Sequence, residues 1–362
     1  MTERRGRRVT ARVSSASSER GTGRAAGAVG AGAVGTGTAG TGAAGAGAIV
    51  GEVTDAGAIG AGTIVERIYA ISPSGALGDR ARVERAMANL GHAGFPVTLD
   101  RAALSIYQRF AGSDATRAAA FQRAAASRAG IVMATRGGYG LVRILDRLDF
   151  DSLAASGKRW IGLSDFTAFH LAMLARTRAT TWSGPCLAAG FGAETLADVD
   201  PTTVGTFTDC MTGRLEALGF ECTGPRGFEA EGTLWGGNLA MICALLGTPW
   251  FPAVRGGILF IEDTAEHPYR IERMLLQLLH AGVLDRQKAI VFGQFDDYRL
   301  AEHDRGFDLP VVIARLKRQT KAAIITGLPF GHGSPCVTLP HGARVGIAVD
   351  GRICYLVYPH RH

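Results

Sequence analysis

Three residue types in this chain could together cleave an amide or ester bond: a serine at a sharp turn, a histidine in a glycine-rich loop and a carboxylate at the end of an apolar strand. The serine lies in WIGLSDFTAFHLAML, residues 160–174. There an apolar strand turns at Gly162-Leu163-Ser164-Asp165 and continues with helical periodicity. A hydroxyl at that turn sits over helix N-terminal N–H groups, which are donors suited to an oxyanion. The same position suits a plain N-cap, and G-L-S-D departs from the G-x-S-x-G elbow of α/β-hydrolases. A serine nucleophile needs a base, and the base needs an anionic orienter. His332 in GHGSP follows the apolar run AAIITGLPF, at a turn where a ring can project into a cleft. The other histidines fit this task less well. His170 follows Ser164 by about two helical turns and faces solvent or core. His280 packs or caps within LLQLLHAG, and His360 and His362 end the chain. Glu262 and Asp263 come directly after the apolar run GGILFI. A carboxylate there can accept from a histidine, and Asp263 equally suits a helix cap. Glu266 and Glu272 read as helix-surface charges.

These residues need a scaffold. From Arg67 onward, strand and helix patterns alternate: RIYAISPSG, DRARVERAMANLGHAG, FPVTLD, SDATRAAAFQRAAAS, AGIVMATRGGYG, then LVRILDRLDFDSL read as one helix before the serine stretch. Such alternation predicts an α/β fold with a mostly parallel, Rossmann-like sheet. Loops at the carboxyl ends of its strands carry ligands, so RGGYG (136–140) and GLSD should face one crevice. Residues 201–227 read as a connection, beginning with a polar helical stretch. Residues 228–362 read as a smaller α+β domain closing with the strand pair VTLPHGARVGIAV and RICYLVYP. The active site is expected at the interface between this domain and the nucleophile-bearing residues 65–200.

The first 64 residues differ in kind, with Arg/Ser followed by a Gly/Ala/Thr/Val drift. Such composition buries too little apolar surface to offset the entropy of ordering, and a disordered tail is expected. Gly30 to Gly35 and Gly35 to Gly40 match G-x-G-x-x-G by chance, since no strand precedes and no helix pattern follows. The chain has 362 residues, 47% hydrophobic and 20% charged, with formal net charge +7. Residues 1–24 carry seven Arg against Glu3 and Glu19, so the remainder holds only +2 and lacks a basic patch with interleaved aromatics. Nucleic acid is not expected as a partner. No apolar run is long enough for a membrane span. Six cysteines (186, 210, 222, 243, 336, 354) without a C-x-x-C pair point to a reducing, cytoplasmic compartment rather than to disulfides or structural zinc.

Taken together, RGGYG at 136–140, GLSDFTA at 162–168, SGP at 183–185, EGTLWGGNLAM at 231–241, IEDTAEHPYRIERMLLQL at 261–278 and GLPFGH at 327–332 resemble the LD-carboxypeptidases, the muramoyltetrapeptide carboxypeptidases of cell-wall recycling. The resemblance runs in order over roughly residues 67–358. It implies Ser164 as nucleophile, Glu262 as the carboxylate and His332 as the base. It also implies a murein tetrapeptide losing its terminal D-alanine, with neither metal nor cofactor, and a homodimer. On that footing the oxyanion is met by backbone N–H groups of Gly138 and Asp165. Arg136 and Arg270 are candidates to clamp substrate carboxylates, each equally suited to a structural ion pair, and Trp235 could wall the pocket or sit in the core. Two other expectations compete. One is a self-immunity peptidase of the same superfamily, cleaving aminoacyl or peptidyl nucleotide antibiotics. The other is a non-catalytic α/β binding protein in which Ser164 only caps.

Overall fold

A computed structural model describes residues 65–358 together with a short strand at 48–50. The remaining tail, including both G-x-G-x-x-G matches, lies outside the described residues. In chain order the first part of the molecule comprises β1 (Ala48–Val50), β2 (Ile68–Ile71), α1 (Arg80–His92), β3 (Val97–Leu99), α2 (Asp114–Ala126), β4 (Ile131–Ala134), α3 (Phe150–Ala155), β5 (Arg159–Gly162), α4 (Thr167–Thr177), β6 (Thr181–Ser183), α5 (Leu187–Phe191) and α6 (Pro201–Thr212). The second part comprises β7 (Ala217–Glu221), β8 (Glu229–Asn238), α7 (Leu239–Leu245), β9 (Ile258–Thr264), α8 (Pro268–His280), β10 (Ala289–Asp296), α9 (Leu309–Leu316), β11 (Ala323–Thr326), β12 (Leu339–His341), β13 (Arg344–Asp350) and β14 (Ile353–Val357).

The first sheet has six strands in the order β12-β6-β5-β4-β2-β3, and β3, β2, β4, β5 and β6 run parallel. All four residues of β4 are buried, as expected of a parallel strand covered on both faces. On one face lie Val83 and Leu90 of α1, Phe191 of α5 and Phe207 of α6. On the other lie Phe121 of α2 and Phe169 of α4. Local signals set the helix starts: Asp79 accepts from Arg82 N–H and Ser113 from Thr116 N–H, each satisfying an otherwise free first-turn donor. The stretch LVRILDRLDFDSL does not form one helix. It splits into a 3₁₀ segment at Val142–Arg147 and α3, because Asp149 turns its side chain to Ser152 N–H and begins a new helix.

The second sheet, expected to be the smaller unit, is eight strands wide in the order β1-β7-β14-β13-β8-β9-β10-β11. β8 joins its two halves. Residues Glu229 to Thr233 pair antiparallel with β13, and Leu234 to Asn238 pair parallel with β9. β9, β10 and β11 continue in parallel, which brings the C-terminal ends of β8, β9 and β10 to one edge.

Two features bind the sheets to one another. The segment VTLPHGARVGIAV is not one strand: Leu339–His341 pairs antiparallel with β6 in the first sheet, and after Gly342 the chain returns to the second sheet as β13. An apolar core also runs continuously from Trp160 and Phe169 to Phe260 and Leu275. The stretch 201–227 contains α6, whose Phe207 and Met211 are buried on the first sheet, and β7 of the second. Thr203 and Thr206 of α6 accept from Cys336 N–H and Thr338 N–H. Among the described residues no helix is long and apolar enough to cross a membrane.

Candidate active site

β5 ends at Gly162, and the chain turns through Leu163 into a single 3₁₀ turn, Ser164–Phe166, that leads into α4. Ser164 has φ = 65°, in the left-handed region, although it is not glycine. This conformation is disfavoured for a side chain bearing a Cβ and persists only where its surroundings enforce it. The surroundings are identifiable. Gly184 N–H donates to Gly162 O at 3.1 Å. His170, wholly buried on α4, places Nε2 3.1 Å from Gly162 O and Nδ1 2.8 Å from Thr181 Oγ1. Burial holds the His170 pKa down at about 4, so the ring is neutral at pH 7 and braces the end of β5. Ser164 caps no helix with its side chain; it remains half-buried, with its hydroxyl free of any such duty.

The loop RGGYG lies directly against that serine. A Cβ built on Gly137 would fall 2.6 Å from Ser164 Cβ and 2.9 Å from Oγ, so only glycine fits there. The next residue, Gly138, has φ = 108°, and its N–H donates to no acceptor among the described residues. The Asp165 side chain turns inward, where Oδ2 accepts from Leu141 N–H at 2.8 Å.

Glu262 sits near the end of β9 and is fully buried; its Oε2 is 2.7 Å from Nδ1 of His332. His332 occupies the loop after β11, with 24% of its side chain exposed. Gln294 of β10 holds this loop from both sides, accepting from Gly333 N–H at 3.0 Å and donating to Pro335 O at 3.0 Å. Burial disfavours the charged imidazole, but the hydrogen bond and charge of Glu262, with further help from Asp263 and Asp296, outweigh it and raise the His332 pKa above the ordinary histidine value. The Nδ1 contact leaves Nε2 as the nitrogen available to a nucleophile. Among the described residues Ser164 Oγ and His332 are not hydrogen-bonded, a bond that in unliganded sites commonly forms only with substrate.

The two halves meet through short links. Glu262 lies beside Asn238 in the β8–β9 register. Asn238 N–H donates to Oγ1 of Thr167, three residues beyond Ser164, at 3.0 Å. A Cβ on Gly237 would strike the same hydroxyl at 2.5 Å. On the other flank, the Cys186 thiol rests 3.9 Å from Leu163 O. Burial pushes its pKa up to about 12, with a contribution from the Glu262 charge. Thr167, Asn238, Gly137, His170 and Gln294 are the supporting residues that sequence patterns alone had not identified. The first three fall inside quoted motifs, so their positions carried a signal without a role.

Several expectations change. Asp263 does cap a helix, but it is α7, earlier in the chain: it accepts from Asn238 Nδ2 at 2.8 Å and Ala240 N–H at 2.9 Å. Burial, with the neighbouring Glu262 charge, pushes its carboxyl up to about 6. Trp235 does not wall a pocket. It is 0% exposed, donates to Gln287 Oε1 and packs edge-on against Phe251, because its strand is covered on both faces. Arg270 is engaged by Glu266 one helical turn before it, at 2.6 Å, so its charge is already matched. Arg136 differs: it is exposed in the loop that lies against Ser164, spans to Ala76 O at 2.9 Å and has no carboxylate partner among the described residues.

The chain is similar to known proteins over most of its length. Residues 68–184 match the LD-carboxypeptidase N-terminal domain and residues 231–347 the LD-carboxypeptidase C-terminal domain. A Streptomyces coelicolor protein named as a carboxypeptidase is 35% identical over 258 residues, 70% of this chain and 80% of its own. A Bacillus subtilis protein named as a murein peptide carboxypeptidase is 30% identical over 277 residues, 74% of this chain and 85% of its own. The crystal structure of muramoyltetrapeptide carboxypeptidase from Oxalobacter formigenes superposes with a TM-score of 0.74 at 38% identity, covering 82% of this chain and all of that one. The Escherichia coli microcin C7 self-immunity protein is more distant, 27% identical over 253 residues and 61% of this chain. With its motifs in order, its two matched domains and relatives matched over most of their length, the chain belongs to the LD-carboxypeptidase family of serine peptidases.

Proposed function

We propose that the protein hydrolyses the amide bond before the terminal D-alanine of a murein tetrapeptide, L-Ala-γ-D-Glu-meso-diaminopimelate-D-Ala. The observation that carries this reading is the 2.7 Å contact between His332 Nδ1 and the fully buried Glu262, which leaves Nε2 as the base on the serine side. His332 Nε2 takes the Ser164 proton as Oγ attacks the carbonyl carbon. The oxyanion forms against backbone N–H groups of Gly138 and Asp165, and the C–N bond breaks as His332 returns the proton to the departing amine. Water then attacks the acyl-enzyme by the same proton route and frees the tripeptide. Arg136 is the candidate clamp for a substrate carboxylate, since its charge is unmatched.

The test is release of D-alanine from that tetrapeptide beside cleavage of an aminoacyl-sulfamoyl adenosine. D-Alanine release with an inert nucleotide supports the murein reading, and the reverse result would assign the chain to the self-immunity relatives. Six unpaired cysteines suit a cytoplasmic site of action, checked by fractionation. The homodimer that the family likeness implies is checked by sedimentation.

A further inference from the structure

The mechanism uses only the backbone of Asp165, yet its side chain is among the most enclosed carboxylates of the molecule, 1% exposed. It points away from the cleft, under the RGGYG loop, where Oδ2 accepts from Leu141 N–H at 2.8 Å and the buried Ser74 hydroxyl lies beside it. Burial pushes its carboxyl upward, and nearby Arg117 opposes that shift through its charge. Arg117 is itself 1% exposed. Its Nη1 donates to Pro73 O and to Gly140 O, both at 2.7 Å, and its Nη2 pairs with Asp114, which also holds Arg143. The Phe110 ring lies near both guanidinium groups, 4.8 Å from Arg117 and 4.9 Å from Arg143. Gly75 N–H donates to Gly137 O at 3.2 Å. Buried polar groups therefore pin the C-terminal end of the loop that presses on Ser164, Arg117 through Gly140 and Asp165 through Leu141, while Gly75 N–H holds its other end at Gly137 O.

We propose that Asp165 is a positioning residue: by holding Leu141, next to the Gly140 carbonyl that Arg117 holds, its side chain fixes the Gly137–Leu141 loop so that the Gly138 N–H stands ready beside Ser164. The two oxyanion donors then form one mechanical unit. Residue 165 supplies one donor from its backbone and sets the other through its side chain. A buried carboxyl group costs stability that an apolar residue would not. Its value lies in rigid placement of a dipole that stabilises negative charge only at the transition state. The inference rests on the reading of Ser164 as nucleophile.

The experiment compares the full-length wild type with Asp165→Asn by two readouts. The first is the rate at which a fluorophosphonate labels Ser164, where Oγ bonds to phosphorus, fluoride leaves, the proton passes to His332 and the phosphoryl oxygen takes the place of the oxyanion. This readout needs no knowledge of the substrate. The second is a pair of affinities: for a peptidyl boronate, which is tetrahedral, and for the tripeptide product, which is not. The expected result is labelling slowed about 10²-fold, the size of a lost oxyanion donor, and boronate affinity reduced in proportion. Tripeptide affinity should stay within about 3-fold, because the ground state makes little use of those donors. Arg117→Lys, which keeps the charge but loses the fork to Pro73 and Gly140, should move the same readouts in the same direction and serves if the first variant does not fold. Labelling at the wild-type rate, or equal loss of boronate and tripeptide affinity, would overturn the inference. A wild type that neither labels nor releases D-alanine would remove the nucleophile reading and this inference with it.

Discussion

The two sheets deliver their functional groups by different physics. On the first sheet the proposed nucleophile is aimed by the backbone: Ser164 sits at φ = 65°, Gly137 packs against it with no room for a Cβ, and neutral His170 ties down Gly162. On the second sheet the proposed helpers are aimed by charge: a fully buried glutamate meets a partly exposed histidine, and Gln294 tethers the loop that carries the histidine. The reason for the difference is chemical. A hydroxyl has one rotatable bond and no charge to steer it, so the chain must carry it to position. An imidazole can be fixed in orientation and tautomer by a single carboxylate.

This contrast can be broken from either side. Ser164→Ala removes the nucleophile, and turnover should fall about 10⁶-fold with the melting temperature unchanged; burst-free, background-level D-alanine release is the measurement. Glu262→Gln attacks the electrostatic side and should lower kcat about 10⁴-fold, as loss of a triad carboxylate does elsewhere. It should also move the pH profile. The base works when neutral, so wild-type kcat/KM rises with pH through a value above the ordinary histidine pKa. Without Glu262 the burial effect dominates and that acid limb shifts to lower pH.

His170 tests the backbone side through stability. Its folded pKa of about 4 lies below the ordinary 6.5, so its contribution is complete above pH 6.5 and is lost as pH falls from 6.5 towards 4, where the unfolded chain gains a proton and the folded chain does not. The loss is about 3 kcal/mol, and urea unfolding at pH 7 and pH 4.5 should show it shrink in His170→Gln. Gly137→Ala should cost about 10²-fold in kcat, the size expected when a nucleophile is displaced by an ångström, with the acid limb set by His332 where it is in the wild type. The smallest effects separate two arginines. Arg136→Ala should raise KM about 10-fold, the scale of one charge-assisted hydrogen bond, whereas Arg270→Ala should leave KM within about 2-fold, since its charge is already matched by Glu266.

Much of the candidate site was legible because its signals are local. A hydroxyl at a strand-to-helix turn, a histidine after an apolar strand and a carboxylate ending another can each be read within a dozen residues. Roles set by distant partners were not. Nothing in GTLWGG says that Trp235 is enclosed while the neighbouring glycines approach Thr167. Nothing near Asp263 says that it caps a helix whose start precedes it by more than twenty positions. Nothing in SDATRAAAFQ says that the Arg117 guanidinium holds the Gly140 carbonyl of the loop against Ser164.

The amino-acid order by itself determined the alternating α/β pattern, the strand ends where chemistry could sit and the three residue types able to perform it, because periodicity, capping and turn chemistry act over a few residues. Only the tertiary structure decided which of these groups meet. It sent Leu339–His341 across to the first sheet, ran one apolar core through both sheets, and so brought a carboxylate and an imidazole seventy positions apart within hydrogen-bonding distance. Long-range pairing of that kind depends on which surfaces bury together, and that is a property of the whole chain rather than of any stretch of it.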